Sequence, residues 1–101
     1  MHPGGVEGNA MLMPQEEMRS VTPWEVRLML DASEGLTYRE IALRRGRKVR
    51  TVERTFERMR DKLRPWGGGT KAGLVHWVDT HYQQWLDAQG IPVAERDRRT
   101  G

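Results

Sequence analysis

The strongest constraint on the fold lies in residues 39–64, where dense positive charge and an apolar stripe share the same predicted helices. The segment holds 11 of the 17 lysine and arginine residues and 4 of the 14 acidic ones, so it carries +7 while the rest of the chain carries −4. Because an apolar stripe packs inward, the basic side chains must point outward onto one surface. Such a surface favours a polyanionic partner, although a solvated helix face accounts for the charge as well. The stripe recurs at i, i+4, i+7 and i+11 and consists of Val52, Phe56, Met59 and Leu63.

Start and stop signals along the chain predict four helices and no strand, and therefore a small all-α domain. Two helices open with a capping box, in which a threonine and a glutamate three residues later each bond the other's backbone. Glycine or proline follows each predicted helix, because neither residue favours its continuation. The first helix opens at the Thr22–Glu25 box and ends at Gly35, the second opens at the Thr37–Glu40 box and ends at Gly46, the third runs from about 49 to 64 and the fourth from 70 to 89.

The remaining segments are predicted from composition. Residues 1–20 mix glycine, proline, glutamate and methionine without periodicity and are expected to form a flexible arm. Residues 21–90 form the predicted helix-turn-helix domain, a tri-helical core plus a C-terminal helix, and residues 91–101 are a polar basic tail. The glycines at 67–69 predict a flexible joint ahead of the fourth helix.

Composition and motifs argue against membrane, metal and catalytic sites. No run approaches the roughly 18 apolar residues of a membrane-spanning helix, and the start, MHPGGVEGNAMLMPQEE, lacks the pattern of a secretory signal. The chain has no cysteine, and His76 and His81 do not have the i, i+4 spacing that zinc favours. No Gly-x-Ser-x-Gly motif or phosphate-binding glycine loop occurs. We therefore expect no metal, no cofactor, no enzymatic activity and a cytoplasmic location.

The outer side of the predicted third helix carries charges suited to reading DNA. Arg50 and Arg54 lie opposite the apolar stripe, in the first turns, where a recognition helix enters the major groove. Arginine there can donate two hydrogen bonds to guanine O6 and N7. A competing interpretation is that these arginines pair with Glu53, Glu57 and Asp61 at helical spacing.

The candidate DNA contacts fall into two groups. The predicted base-reading residues are Arg50, Arg54, Glu57 and Arg58. Basic and hydroxyl side chains near the turn are suited to phosphates, which fix register without reading sequence. These predicted phosphate-contacting residues are Thr37, Arg39, Arg44, Arg47, Lys48 and Thr51.

Four motifs in this region resemble a known family. They are Thr22-Pro23-x-Glu25, Glu34-Gly35-Leu36-Thr37-x-Arg39-Glu40-Ile41-Ala42, Thr51-Val52 and Lys62-Leu63. Over residues 21–80 the chain is similar to the LuxR-type (GerE-type) helix-turn-helix domain, and its Glu-Gly-Leu-Thr-Tyr-Arg-Glu-Ile-Ala segment is equally similar to region 4 of bacterial sigma factors. The resemblance implies four helices, the third in the major groove of DNA and the fourth at a dimer interface.

The chain departs from the family pattern around the turn. Arg45 and Arg47 stand where the family usually has apolar residues, and Lys48 replaces a serine that caps the third helix. Glu53 stands where a phosphate-contacting lysine is common. These differences predict a less covered corner between the second and third helices.

The predicted fourth helix has an apolar surface that spans about half of its circumference, wider than docking one small helix requires. We expect a homodimer to bury the excess, since two-fold interfaces are the commonest and would place two recognition helices on a palindromic site. The alternative is that the tails or Trp66 cover the surface within a monomer. The predicted interface consists of Leu74, Trp77, Val78, His81 and Trp85.

Together these patterns predict a sequence-specific regulator of transcription, bacterial or from a phage, that binds double-stranded DNA at the nucleoid. An alternative is an interaction protein that docks on RNA polymerase or a sigma factor through the fourth helix. A packaging or replication adaptor is a third possibility. The outer face of the third helix separates the first two, because carboxylates that occupied Arg50 and Arg54 would weaken direct readout.

Overall fold

A computed structural model describes residues 13–90 as five α-helices and one short 3-10 turn. No strand occurs within this range, which confirms the predicted all-α fold. The predicted tail at 91–101 and the first part of the predicted arm, 1–12, lie outside the described residues. The helices are α1 (Gln15–Arg19), α2 (Pro23–Ser33), α3 (Tyr38–Arg45), α4 (Val49–Leu63) and α5 (Lys71–Ala88), with the 3-10 turn at Arg64–Trp66.

Both predicted capping boxes form, and they fix where α2 and α3 begin. The hydroxyl of Thr22 accepts from the backbone N–H of Glu25 at 3.1 Å, and the Glu25 carboxylate accepts from the N–H of Thr22 at 2.9 Å. Thr37 and Glu40 make the same pair of bonds at 3.1 and 2.8 Å. Gly46 then ends α3 in the left-handed conformation, with φ of 66°. The turn at 46–48 leads directly into α4, so α3 and α4 form the expected helix-turn-helix.

The core lies where α2 and α5 pack together and where α4 packs against both α3 and α5. The predicted stripe of α4 is confirmed as core, because Val52, Phe56 and Met59 are fully buried and Leu63 is 1% exposed. Burying such side chains stabilises the fold by roughly 1.5–3 kcal/mol each. This burial holds one side of α4 against the domain and leaves its other side exposed.

Residues 13–20 do not form the aperiodic arm that their composition predicts. Met13 is 3% exposed and Met18 fully buried. The indole N–H of Trp77 donates to the Met13 sulfur at 3.0 Å, and the indole N–H of Trp85 donates to the carbonyl of Val21 at 2.7 Å. The prediction was wrong for this segment because two methionines at irregular spacing give no helical period, yet each fills a gap beside α5.

The glycines at 67–69 form a packed turn rather than the predicted flexible joint. Gly67 takes a left-handed φ of 90°, and the N–H of Gly68 donates to the carbonyl of Leu63 at 2.8 Å. Gly68 is buried, and a Cβ there would lie 2.6 Å from that of Leu63. Glycine is therefore needed because the chain passes close to α4, and this close passage fixes where α5 begins.

Two searches of the described residues bear on other kinds of site. No helix in 13–90 is long and apolar enough to cross a membrane. Within the same range, no group of three or more histidine, aspartate or glutamate side chains is arranged to hold a metal ion.

Candidate nucleic-acid interface

The outer face of α4 presents the four predicted base-reading residues together. Arg50, Arg54, Glu57 and Arg58 are all exposed. Among residues 13–90, none of their side chains makes a hydrogen bond or an ion pair. The ion pairs of the competing interpretation do not form among these residues. Glu53 and Glu57 lie beside the arginines without pairing with them, and Asp61 accepts from Arg64 at 2.8 Å.

Two arginines and two glutamates on this face line one shallow depression. The lining side chains are Arg50, Glu53, Arg54 and Glu57, and the depression has a volume of about 190 Å³. Residues at i, i+3, i+4 and i+7 of a helix lie on one side of it, so the depression follows the first two turns of α4. It is polar, open to solvent and aligned with the helix.

Tyr38 fixes α4 against α3. Its ring stacks on Phe56 with centroids 4.4 Å apart, and its hydroxyl accepts from the Arg60 guanidinium at 3.1 Å. The ammonium of Lys71 lies 4.8 Å from the centroid of the Tyr38 ring and donates to the carbonyl of Leu36 at 2.9 Å. Burial raises the pKa of the Tyr38 hydroxyl, and the positive charge of Arg60 partly opposes this change. These contacts tie α3, α4 and α5 together at one aromatic ring.

The corner of the helix-turn-helix is held by one buried carboxylate. The side chain of Asp31 on α2 is 1% exposed and accepts two bonds from Arg45, both at 2.8 Å. It also accepts from Arg44 at 2.9 Å, and Arg44 makes a second ion pair with Glu34 at 3.1 Å. Hydrogen bonds to Asp31 and Glu34 raise the pKa of Arg44. Arg44, predicted to contact phosphate, is therefore already engaged by two carboxylates, although its side chain stays 42% exposed.

Arg47, which stands where LuxR-type domains usually have an apolar residue, lies over an aromatic ring. Its guanidinium carbon is 5.1 Å from the centroid of the Trp24 ring, within the range of a cation–π contact. The corner is thus covered by Arg45 on Asp31 and Arg47 on Trp24, so the less covered corner expected from the sequence is filled by charged side chains. Both arginines keep their positive charge at the turn.

The other predicted phosphate contacts are exposed. Arg39, Lys48 and Thr51 all lie on the surface and make no side-chain bond among residues 13–90. Thr37 is exposed too, but its hydroxyl oxygen already accepts the capping bond. Lys48 occupies the N-cap position of α4 without capping it, as its replacement of a serine predicts.

The five side chains predicted to form a dimer interface are buried within the single chain. Their exposure is 0% for Leu74 and Val78, 1% for Trp77 and Trp85, and 9% for His81. They pack against α2 and residues 13–21, which corrects their assignment to an intermolecular surface. The N-terminal segment supplies the cover that was expected of a second copy. Burial also lowers the pKa of the His81 imidazole.

Two buried carboxylates position this surface, and the sequence pattern revealed neither the role of Asp31 nor the second role of Glu25 beyond its capping box. Asp31 follows Leu28 by three residues, on the apolar side of α2, and this placement signals an acid that needs a buried partner. Glu25 is 4% exposed and accepts from the Lys62 ammonium at 2.9 and 3.1 Å, in addition to its capping bond. The pair ties the start of α2 to the last turn of α4.

Comparison with known proteins finds no match for this chain. No protein-family model matches the chain, and neither a curated protein nor a solved structure matches it at a significant level. The resemblance to LuxR-type helix-turn-helix domains therefore rests on the motif residues quoted above. The features of the structure that bear on function are the exposed face of α4 and the basic turn beside it.

Proposed function

We propose that this protein binds double-stranded DNA in a sequence-specific manner through α4 and regulates transcription. The observation that carries the proposal is the state of Arg50 and Arg54. Both guanidinium groups are exposed and unpaired among the described residues, on the first turns of a helix whose opposite side is fixed in the core.

Unpaired arginines favour binding because nothing must be broken before they meet a ligand. An arginine already held by a carboxylate would lose that partner on entering a groove, and the loss would offset the new contact. The major groove, about 12 Å wide, admits one α-helix. With its apolar side buried in the domain, α4 can present only its charged side to such a groove.

The basic residues beside α4 supply the contacts that any DNA sequence offers. Arg39 at the start of α3 and Arg47 and Lys48 in the turn are exposed and positively charged. Contacts from such residues to phosphates fix the position of a helix in the groove and make the affinity fall with salt.

The alternative of docking on RNA polymerase or a sigma factor is less well supported. It requires an apolar face of α5 that is open to a partner, whereas Leu74, Trp77 and Val78 are buried against the rest of the chain. The homodimer stays a prediction. It would have to use another surface, and light scattering of the protein with and without DNA measures the number of copies.

Selection of bound duplexes from a random pool, repeated at several salt concentrations, tests the proposal. A sequence-specific regulator enriches one motif, and its affinity for that motif exceeds its affinity for random duplex. Arg54→Ala is expected to weaken binding to the motif by roughly 1–3 kcal/mol. Arg27→Ala removes another exposed arginine, on α2 and away from the α4 face, and is the matched control. Enrichment of no motif, together with equal effects of the two substitutions, would overturn sequence-specific binding through α4.

A further inference from the structure

The chemistry of the α4 depression limits which bases it can recognise. Its lining consists of two guanidinium groups and two carboxylates, with no amide and no apolar side chain. The chain contains no asparagine or glutamine anywhere between Gln15 and Gln83. Residues that commonly read adenine are therefore missing from α4 and from the turn before it.

Each base presents a different pattern of donors and acceptors in the major groove. Guanine offers two acceptors that suit arginine, and cytosine offers an amino group that suits glutamate. Adenine is read by the amides of asparagine or glutamine, which both donate and accept, and the thymine methyl group is read by apolar side chains. The side chains of the depression match guanine and cytosine and lack the groups that match adenine and thymine.

The carboxylates of Glu53 and Glu57 act against the wrong bases. An ionised carboxylate only accepts hydrogen bonds. Adenine has an amino donor, but its N7 acceptor lies beside it and would face the second carboxylate oxygen. Thymine O4 and guanine O6 are acceptors as well. In duplex DNA the adenine amino group lies between two acceptors, its own N7 and thymine O4, whereas the cytosine amino group has an acceptor, guanine O6, on one side only. Cytosine is therefore the base that these glutamates accept from with the least repulsion.

We propose that the DNA site read by α4 is a run of three or four G·C base pairs, with Arg50 and Arg54 on guanines and Glu53 and Glu57 on cytosines. The inference rests on the proposed function and adds the base composition of the target. From Arg50 to Glu57 the helix rises by about 10 Å, at 1.5 Å per residue. Base pairs are stacked about 3.4 Å apart, so the four side chains span roughly three steps.

The two carboxylates of the depression also weaken non-specific binding to DNA. Two carboxylates beside the groove oppose attachment of α4 to DNA wherever no cytosine amino group meets them. Discrimination therefore comes from repulsion at wrong sites as well as from attraction at the right one. Glutamate replaced by glutamine removes this repulsion and supplies an amide that suits adenine.

The test is selection from a random duplex pool with the wild-type chain, Glu57→Gln and Arg54→Gln, and with Arg27→Gln as control. The wild-type motif is expected to contain a run of G·C pairs. Glu57→Gln should change the preference at one position from cytosine to adenine, and Arg54→Gln should change another from guanine to adenine, each by about tenfold. Arg27→Gln should leave the motif unchanged. Thermal melting of each variant shows that the fold is intact, as exposure of these side chains leads us to expect.

The outcomes separate this inference from the proposed function. A specific motif rich in A·T pairs would overturn the inference while leaving sequence-specific binding in place. An unchanged motif for both α4 variants would likewise overturn it, because it would place the reading face elsewhere. Salt-sensitive binding that enriches no motif would overturn both the inference and the sequence-specific part of the proposed function.

Discussion

Asp31 shows how one side chain shapes the surface around it. Its carboxylate is almost fully buried, yet it accepts bonds from both Arg44 and Arg45 at the end of α3. A buried charge is tolerated only when it is paired and hydrogen-bonded. The pairing therefore has two effects. The carboxylate holds the end of α3 in place, and it makes Arg44 and Arg45 less available to DNA.

Replacing Asp31 by asparagine keeps the shape and removes the charge. We expect Asp31→Asn to lower the free energy of unfolding by about 2 kcal/mol, because two guanidinium groups lose their main acceptor. This loss is smaller than the full effect of breaking a buried pair, because both arginines also reach solvent. Glu34→Gln, in a carboxylate that is 54% exposed, is the control and should change stability by less than about 0.5 kcal/mol. Urea unfolding followed by circular dichroism compares them, and equal effects would refute the role given to Asp31.

At this scale, local contacts were predictable and distant ones were not. The capping boxes of Thr22 and Thr37 form between residues three apart, so their pattern is complete in the sequence. The partners of Asp31 lie 13 and 14 residues away, and that of Met13 lies 64 residues away. Such pairs depend on how the helices pack, and the residues next to each partner in the sequence do not indicate that packing.

The helix α4 combines a firmly packed side with an uncapped start. Lys48 has the extended backbone of an N-cap residue, with φ of −75° and ψ of 146°, but its side chain makes no capping bond. A positive charge at a helix N-terminus is also unfavourable to the helix dipole. Lys48 therefore makes α4 less stable than a capping residue would, at the position where we propose a phosphate contact.

Lys48→Ser is expected to separate these two effects. The serine hydroxyl can cap α4, so the free energy of unfolding should rise by about 1 kcal/mol. DNA affinity should fall, and the slope of log affinity against log salt should lose about one unit. Lys48→Ala removes the same charge without adding a cap and is the matched control. If both variants unfold at the same urea concentration, the capping argument fails.

The packed turn before α5 requires glycine at position 73. A Cβ there would lie 2.1 Å from the carbonyl oxygen of Gly67, which is backbone and cannot move aside cheaply. Gly73→Ala should therefore lower the free energy of unfolding by about 2 kcal/mol, although alanine favours a helix by about 1 kcal/mol over glycine. Gly69→Ala is the control, since its Cβ would meet Arg64 at an ordinary 3.5 Å. Unchanged or raised thermal stability of Gly73→Ala would contradict the close contact.

The positions of the helices were predictable from the sequence, whereas the elements that pack against them were only partly predictable. Boundaries of α2, α3 and α4 follow from caps, glycines and one apolar stripe. The wide apolar surface of α5 was also evident, but the sequence pattern cannot distinguish cover by another copy from cover by the chain itself. The structure assigns that cover to α2 and to residues 13–21.

At the scale of the whole molecule, the N-terminal segment closes the domain. Met18 is fully buried, the Gln84 amide donates to the carbonyl of Met13 at 2.9 Å, and Arg19 donates to the carbonyl of Ala88 at 3.4 Å. These contacts join the first and last described helices. The surface that remains exposed on α5 is consequently more polar than its sequence alone implies.

Met18→Ala tests this closure. Loss of a buried methionine side chain should lower the free energy of unfolding by about 2–3 kcal/mol and loosen the cover over α5. Glu17→Ala, at an exposed neighbouring position, should change it by less than about 0.5 kcal/mol. Thermal unfolding measures the stability, and light scattering shows whether the uncovered variant self-associates. Equal stability of the two variants would show that the segment does not hold the domain together.

The bonds between residues 13–21 and α5 also bear on how the chain is made. Synthesis delivers Met13 and Val21 first, whereas their partners Trp77 and Trp85 follow 64 residues later. At translation rates of 5–20 residues per second, the delay is on the order of several seconds. During that time α3 and α4 can assemble from nearby residues, while the N-terminal methionines have no place to pack. A nascent chain that stalls before α5 therefore exposes apolar side chains to chaperones and proteases.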